Sequence, residues 1–567
     1  MKKRNFIYGA IILTLSALLS KILGAVYRIP LTNLLGTQGM GIYQMIFPVY
    51  MVLLVISSSG IPVAISRLVS EQVAKGNKKQ AVKILKSALI LTSIIGVACG
   101  LIVFFSANFI ASLQGNSLAS IGYLAVAPAI ALGSIVSAFR GYFEGLQDMR
   151  PTAFSEVIEQ IAKVALGLVF ATYLLPLGIE YGALGAILGI TVGEIASLLT
   201  IMVIYFFANK EYYKKDNIKV KQNQPQNAGD KEQTYLSINT DEKNSIHKKE
   251  TLNLENSSML KIAKVIFFRS VPITLSASII PITLFIDSIL IINLLANSGF
   301  NIGDSTSLFG IQTGIVNSLI SLPIIISISL STAILPTLSA ARTIKNRKEI
   351  NFKTSLAIKI VWLIALPCFA GFLLLGTDIT RFLYSNGLET GRVNELEIAG
   401  NLIQIVAICV VYNSFTRIFL ATLHALHKSY LAVRNLIISS MFKIILTIIL
   451  VSVNLFNIYG ASIASAFSYA VASLLCLMSV KKYVTFKFNI KYFLINPLLA
   501  ILGLSASIIL LKNILNNFLS ANVTTIITIA VSGLVYFFIL TYLKVFNSDE
   551  LSYIPILKKI RTKIFKK

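Results

Sequence analysis

Charge is what this sequence has least of. Asp, Glu, Lys and Arg make up 13% of the 567 residues, against 55% hydrophobic types. A soluble domain of this length cannot hide so much apolar surface, which excludes soluble enzymes and nucleic-acid-binding domains as classes. Acids are the scarcer sign, 24 against 50 Lys and Arg, for a net charge of +26. The basic excess does not point to nucleic acid, because it falls in alternate short loops rather than on one soluble face. Cysteine is almost missing. Cys99, Cys368, Cys409 and Cys476 are scattered through apolar segments with no C-x-x-C spacing, so they read as packing residues rather than disulfides or metal ligands. His424 and His427 have the spacing of a metal pair but no third ligand, and read as loop residues at a helix end. No metal and no cofactor is expected. A signal-peptide cleavage site is also lacking before Lys21, so the basic start Met1-Lys2-Lys3-Arg4 and the apolar stretch behind it read as an uncleaved first helix.

What the chain does have is apolar runs of about 20 residues, repeated along its length, each enough to span a bilayer as a helix. They predict an all-α polytopic membrane protein of about fourteen transmembrane helices. Lys75, Lys78, Lys79, Arg150, Arg342, Lys345, Arg347, Lys348, Lys428, Arg434, Lys481 and Lys482 fall in the even-numbered loops. The odd-numbered loops carry few cations, or balance them with acids as around Arg381 and Arg392. By the positive-inside rule both termini are cytoplasmic, in a multi-pass protein of the plasma membrane.

Residues 209–260 are Asn/Gln/Lys-rich and poor in apolar types, and predict a cytoplasmic linker too polar to fold alone. It separates an N-terminal lobe, 1–208, from a C-terminal lobe, 261–482. Helices 13 and 14 follow in 483–545, and a basic amphipathic tail, 546–567, should lie against anionic membrane lipids. The halves also repeat: "YGALGAILG" from Tyr181 returns as "YGASIASAF" from Tyr459, and Lys163 matches Lys443. A duplicated six-helix unit predicts two pseudo-repeated lobes around a central cavity, the arrangement used for alternating access.

Ionisable residues inside the bilayer are costly and usually face protein or a water-filled cavity. Here they are Lys21, Arg28, Arg67, Glu159, Lys163, Glu194, Asp287, Arg417 and Lys443. Lys21 lies roughly 25 Å along the first helix from Arg4, far from the end where cations collect. Arg28 is seven residues on, hence on the same face. Arg67 follows "SSSGIPVAIS", where Gly60 and Pro62 should break the second helix beside a cavity. These three cations form a predicted anion-binding wall. Arg suits phosphate through its planar fork, and Lys as a point charge. Glu159 precedes Lys163 in the favourable i,i+4 orientation, and with Glu156 they make one polar stripe. Glu159, Lys163, Glu194, Asp287, Arg417 and Lys443 are candidates for cavity charge or coupling, to Na+, to H+ or to the membrane potential.

Three stretches, "SKILGAVYRIPLTNLLGTQGMGIYQ", "SSSGIPVAISRLVSEQVAKGN" and "FRGYFEGLQDMRPTAFSEVIEQIAKV", resemble the polysaccharide-export and stage V sporulation protein B branch of the MOP exporter superfamily, a branch related to the lipid II flippase MurJ. The resemblance covers nearly the whole chain. It implies two six-helix lobes plus two helices, and outward flipping of an undecaprenyl-diphosphate-linked saccharide by alternating access; a monomer that is not an enzyme is expected. It also implies a substrate-contacting role for Lys21, since Ser20-Lys21-Ile22-Leu23-Gly24 matches a Ser-Arg-x-x-Gly stretch with Lys for Arg. Arg28 falls one place beyond the relatives' next basic residue. His424-Ala425-Leu426-His427 stands where the branch usually has Gln-Gly-Leu-Gly. A cation-coupled multidrug antiporter of the same superfamily is the rival reading. It predicts about twelve helices and an acid-dominated cavity. A membrane glycosyltransferase or phosphatase would need an acidic metal cluster or an ordered general base, for which the polar linker is a poor source.

Overall fold

The computed structural model describes residues 3–222, 257–388, 394–486, 490–543 and 545. Most of the linker and the basic tail 546–567 lie outside them, as does Arg392. The described chain is α-helical, with no strand among these residues. The first lobe comprises α1 (Lys3–Ser58), α2 (Ile61–Ala74), α3 (Lys78–Leu113), α4 (Ser120–Gly145), α5 (Arg150–Leu174) and α6 (Ile179–Gln222). The second comprises α7 (Met259–Asn297), α8 (Ile302–Gly310), α9 (Asn317–Thr343), α10 (Arg347–Tyr384), α11 (Glu395–Val406), α12 (Cys409–Ala425), α13 (Ser429–Val451) and α14 (Asn457–Lys481). Then come α15 (Asn496–Leu515) and α16 (Ala521–Tyr542).

Twelve helical stretches among the described residues are long and apolar enough to cross a membrane, or thirteen with the bent pair α11–α12. The first stretch, Ile12–Ala74, has 63 residues. At ~1.5 Å per residue that is about 95 Å, roughly three hydrocarbon thicknesses, so it cannot be one span. Gly36 divides it: its φ of 68° and ψ of −178° break the helix in a region that only glycine adopts without strain. Two legs in place of one bring the count to the expected fourteen. A second interruption falls at Ser59–Gly60, and α2 restarts with Pro62 in its first turn, where a missing N–H costs nothing. The predicted span centred near Ile408 is bent by 44° between α11 and α12. One difference concerns the linker: α6 continues to Gln222, through residues assigned to it. "NKEYYKKDNIKVKQ" holds no Pro or Gly, and extending an existing helix needs no new nucleus.

The lobes meet closely at the Gly36 end. A Cβ on Gly41 would lie 2.2 Å from the Thr306 carbonyl oxygen, and one on Gly310 2.1 Å from that of Thr37. Only hydrogen at both places lets α1 and α8 touch backbone to backbone. Polar contacts complete this closure: Thr37 Oγ1 donates to Glu395 Oε1 at 2.7 Å, Asn33 Nδ2 to the Leu383 carbonyl at 2.7 Å, and Asn116 Nδ2 to Thr306 Oγ1 at 2.9 Å. We expect Gly41→Val to force this end apart, read as a longer spin-label distance between Leu118 and Ile302. An unchanged distance would show that the contact does not hold the lobes together.

Helix α7 crosses between the lobes. Ile262 and Ile266 are buried in the core formed with α2, α3 and α4, whereas Asp287 reaches Lys443 on α13. The last two helices are fastened to α10, by Lys512 Nζ to Asp378 Oδ2 at 2.6 Å and by Tyr536 Oη donating to the Leu363 carbonyl at 2.9 Å.

Candidate functional site

A cavity of about 690 Å³ lies between the lobes. Its first wall comes from α1, α4, α5 and α6 and carries Lys21, Arg28, Arg140, Glu156, Glu159, Lys163 and Glu194. The facing wall, from α9, α12 and α14, is mainly Ile324, Ile325 and Ile328, with Asn413, Tyr469 and a single charge, Arg417. Lys21 and Arg28 share the inward face of α1, as their seven-residue spacing requires. Five cations therefore meet three carboxylates, an excess of two positive charges if all are ionised.

The pairing within that set decides what remains free. Arg140 Nη2 lies 2.7 Å from Glu159 Oε2 and donates to Ser197 Oγ at 3.0 Å, while its Nε donates to Ser155 Oγ at 3.1 Å. Glu194 accepts from Tyr50 Oη at 2.9 Å. Glu156 accepts a longer bond from Ser16 Oγ, 3.4 Å. The predicted Glu159–Lys163 pair is not the one formed, because the Arg140 fork reaches the carboxylate and two hydroxyls together. Lys163 instead stands over the Phe47 ring, 5.3 Å from its centroid, and Arg28 lies 5.7 Å from the same centroid. Arg28 also donates to Ser318 Oγ on α9 at 3.1 Å, a contact across the two lobes. Arg417 Nε is buried with no partner. Among the described residues, Lys21, Arg28, Lys163 and Arg417 all face the cavity without a carboxylate bonded to them.

Phe47 thus spaces two like charges with a ring whose face attracts both. We expect Phe47→Leu to weaken anion binding in the cavity by roughly tenfold, since each cation–π contact of this kind is worth ~1 kcal/mol. Unchanged binding would show that Arg28 and Lys163 are held by other contacts.

The other predicted residues lie elsewhere. Arg67 is on the outer part of α2, 59% exposed at its side chain and 3.5 Å from Glu71 one turn on, and does not line the cavity. Asp287 and Lys443 form a buried ion pair between α7 and α13, also outside the cavity lining. Arg140 was not among the predicted residues. It sits close to the end of α4, where a cation passes for a headgroup anchor, and only the fold brings α5 and α6 around it.

The family model described as "Polysaccharide biosynthesis protein" matches residues 6–226. The chain is 28% identical over 563 residues to stage V sporulation protein B of Bacillus subtilis (strain 168), covering 99% of each. It is 26% identical over 559 residues to the lipid II flippase MurJ of the same strain, covering 94% of each. Among solved structures, lipid II flippase MurJ in an inward closed conformation matches with a TM-score of 0.65 at 18% identity, over 94% of this chain and 99% of that one. An inward-facing MATE family multidrug transporter of the MOP superfamily matches with a TM-score of 0.63 at 16% identity, over 83% of this chain and 97% of that one. With fourteen helical legs among the described residues and a cavity between two lobes, this multi-pass membrane protein is similar along its whole length to the stage V sporulation protein B and MurJ proteins and shares their MOP-exporter fold.

Proposed function

We propose that the chain moves a saccharide linked to undecaprenyl diphosphate from the inner to the outer leaflet of the plasma membrane, by alternating access between lobes 1–208 and 261–482. One observation carries the reading: four cations without carboxylate partners face one cavity between the lobes. A diphosphate brings about two negative charges, and removing each from water costs several kcal/mol unless fixed positive charge offsets it. Lys21 and Arg28 on one wall and Arg417 on the other supply that charge at both faces of the anion. The flippase name of a full-length relative supports the substrate class. With both termini cytoplasmic, the closed Gly36 end is the outer one, and this conformation receives substrate from inside.

A cation-coupled multidrug antiporter is the second reading, favoured by the three carboxylates in the cavity and by the shared fold. Against it, Glu159 and Glu194 are already engaged by Arg140 and Tyr50. The test combines complementation of conditional lipid II flippase loss, read as clearance of accumulated lipid-linked precursor, with binding of undecaprenyl diphosphate to the purified protein. Failure of both at normal membrane abundance, with efflux of a lipophilic cation gained instead, would favour the antiporter.

A further inference from the structure

A second cavity, of about 730 Å³, lies between α7 and α13 and shares no residue with the first. From α7 come Pro272, Ile273 and Ser276, one helical face. From α13 come Val433, Ile437 and Ile438, with Arg434 above them, and His424 and Ser429 close the polar end. Pro272 lacks an N–H and crowds the carbonyl one turn back, so α7 is free to bend at this level. The two helices come together again at the Asp287–Lys443 pair. That pair is eleven residues beyond Ser276 and nine beyond Arg434, about 15 Å further along, roughly half the hydrocarbon thickness. The groove therefore lies within one leaflet, on the polar side of that clamp.

Its charge is of one sign. Arg434 contacts Asn435 Oδ1, from Nε at 3.4 Å and Nη2 at 3.2 Å, and forms no ion pair among the described residues. No Asp or Glu lines the groove. His424 Nδ1 is 2.9 Å from Ser429 Oγ, a polar pair that lines the groove with the guanidinium.

We propose that this groove holds one anionic phospholipid. Its phosphate sits on Arg434 beside His424 and Ser429, and an acyl chain lies between Pro272 and Ile273 on one side and Val433 and Ile437 on the other. The guanidinium fork selects the phosphate and the apolar walls select a chain attached to it, a combination that neither a free anion nor a neutral lipid satisfies. Because α7 also packs into the first lobe through Ile262 and Ile266, the occupant sets the spacing of a helix that touches both lobes.

The chain has a single tryptophan, Trp362, so a reporter is placed by Tyr430→Trp at the groove mouth in a Trp362→Phe background. In nanodiscs, brominated phosphatidylglycerol is expected to quench it more strongly than brominated phosphatidylcholine at equal mole fraction. Arg434→Gln, on a half-open surface, should weaken that preference roughly tenfold, as loss of one charge-assisted contact does. Native mass spectrometry of the otherwise unaltered chain, with and without Arg434→Gln, gives the same comparison without the reporter: one retained phosphatidylglycerol is expected, lost in the variant. Equal quenching by both lipids, or a preference that survives Arg434→Gln, overturns the proposal. So does displacement by millimolar inorganic phosphate, which makes the site one for a free anion. Displacement by undecaprenyl diphosphate but not by unlabelled phosphatidylglycerol also overturns it, and assigns the groove to the transported lipid.

Discussion

Lys21→Ala and Arg28→Ala should each abolish flipping while the protein remains at normal abundance in the membrane. Charge-assisted hydrogen bonds contribute about 1.5–3 kcal/mol each, so either loss should weaken binding of the diphosphate lipid by roughly 10- to 150-fold. Neither cation has a carboxylate partner, so removing one leaves no buried acid uncompensated and the fold should tolerate it. Lys21→Arg should keep activity, because the guanidinium restores the charge at the same turn. Arg417→Ala tests something different. Arg417 is the charge on the second wall, so its loss should impair transport more than binding if the anion must be gripped from both lobes. Unchanged binding in both α1 variants, with intact complementation, would make these cations anchors for lipid headgroups and end the anionic-cavity mechanism.

Asp287→Asn should lower the thermal unfolding midpoint sharply. It leaves the Lys443 ammonium buried and unpaired, a change that costs about 3–5 kcal/mol in comparable buried pairs. The side chains are only 6% and 15% exposed, so solvent screens little of this. Asp287→Asn combined with Lys443→Met should recover most of the midpoint. A buried ion pair is seldom better than apolar packing, and Asp287 Oδ1 is left without any partner even in the intact pair. The measurement is paired midpoints in detergent with transport in cells. A double variant that is stable but inactive means that the pair must open during the cycle. A single Asp287→Asn variant with an unchanged midpoint would show that α7 and α13 are not clamped there.

Much of the fold is legible from hydrophobic run length, because a span is a local property: twenty apolar residues bury their own backbone polar groups wherever they stand. Gly60 and Pro62 announced the break before α2 for a similarly local reason. The separation of the two legs of α1 was legible in the same way, since Thr32, Asn33, Thr37 and Gln38 interrupt the apolar run, but the residue at which the helix breaks, Gly36, is fixed only by its backbone angles. The bend in the span around Ile408 carries no Pro or Gly to announce it.

Within the cavity the same division holds. That Lys21 and Arg28 share a face follows from 3.6 residues per turn and nothing else. Which carboxylate each cation meets does not, because the partners lie on other helices. Arg140 takes Glu159 from α5, the next helix along the chain, leaving Lys163 to Phe47 on the second leg of α1. Spacing alone assigned Lys163 to Glu159, the neighbour one turn away, and had no means of ranking a guanidinium that arrives from α4. Arg67 shows the converse: its sequence context suggested a cavity, but the rotation of α2 after its restart turns that side chain outward to Glu71. Helix existence, span number and which residues share a face are set by local periodicity. Charge pairing, the free cations and the groove beside α13 are set by helix rotation and lobe contact, which depend on packing between different helices, 156 residues apart for Asp287 and Lys443.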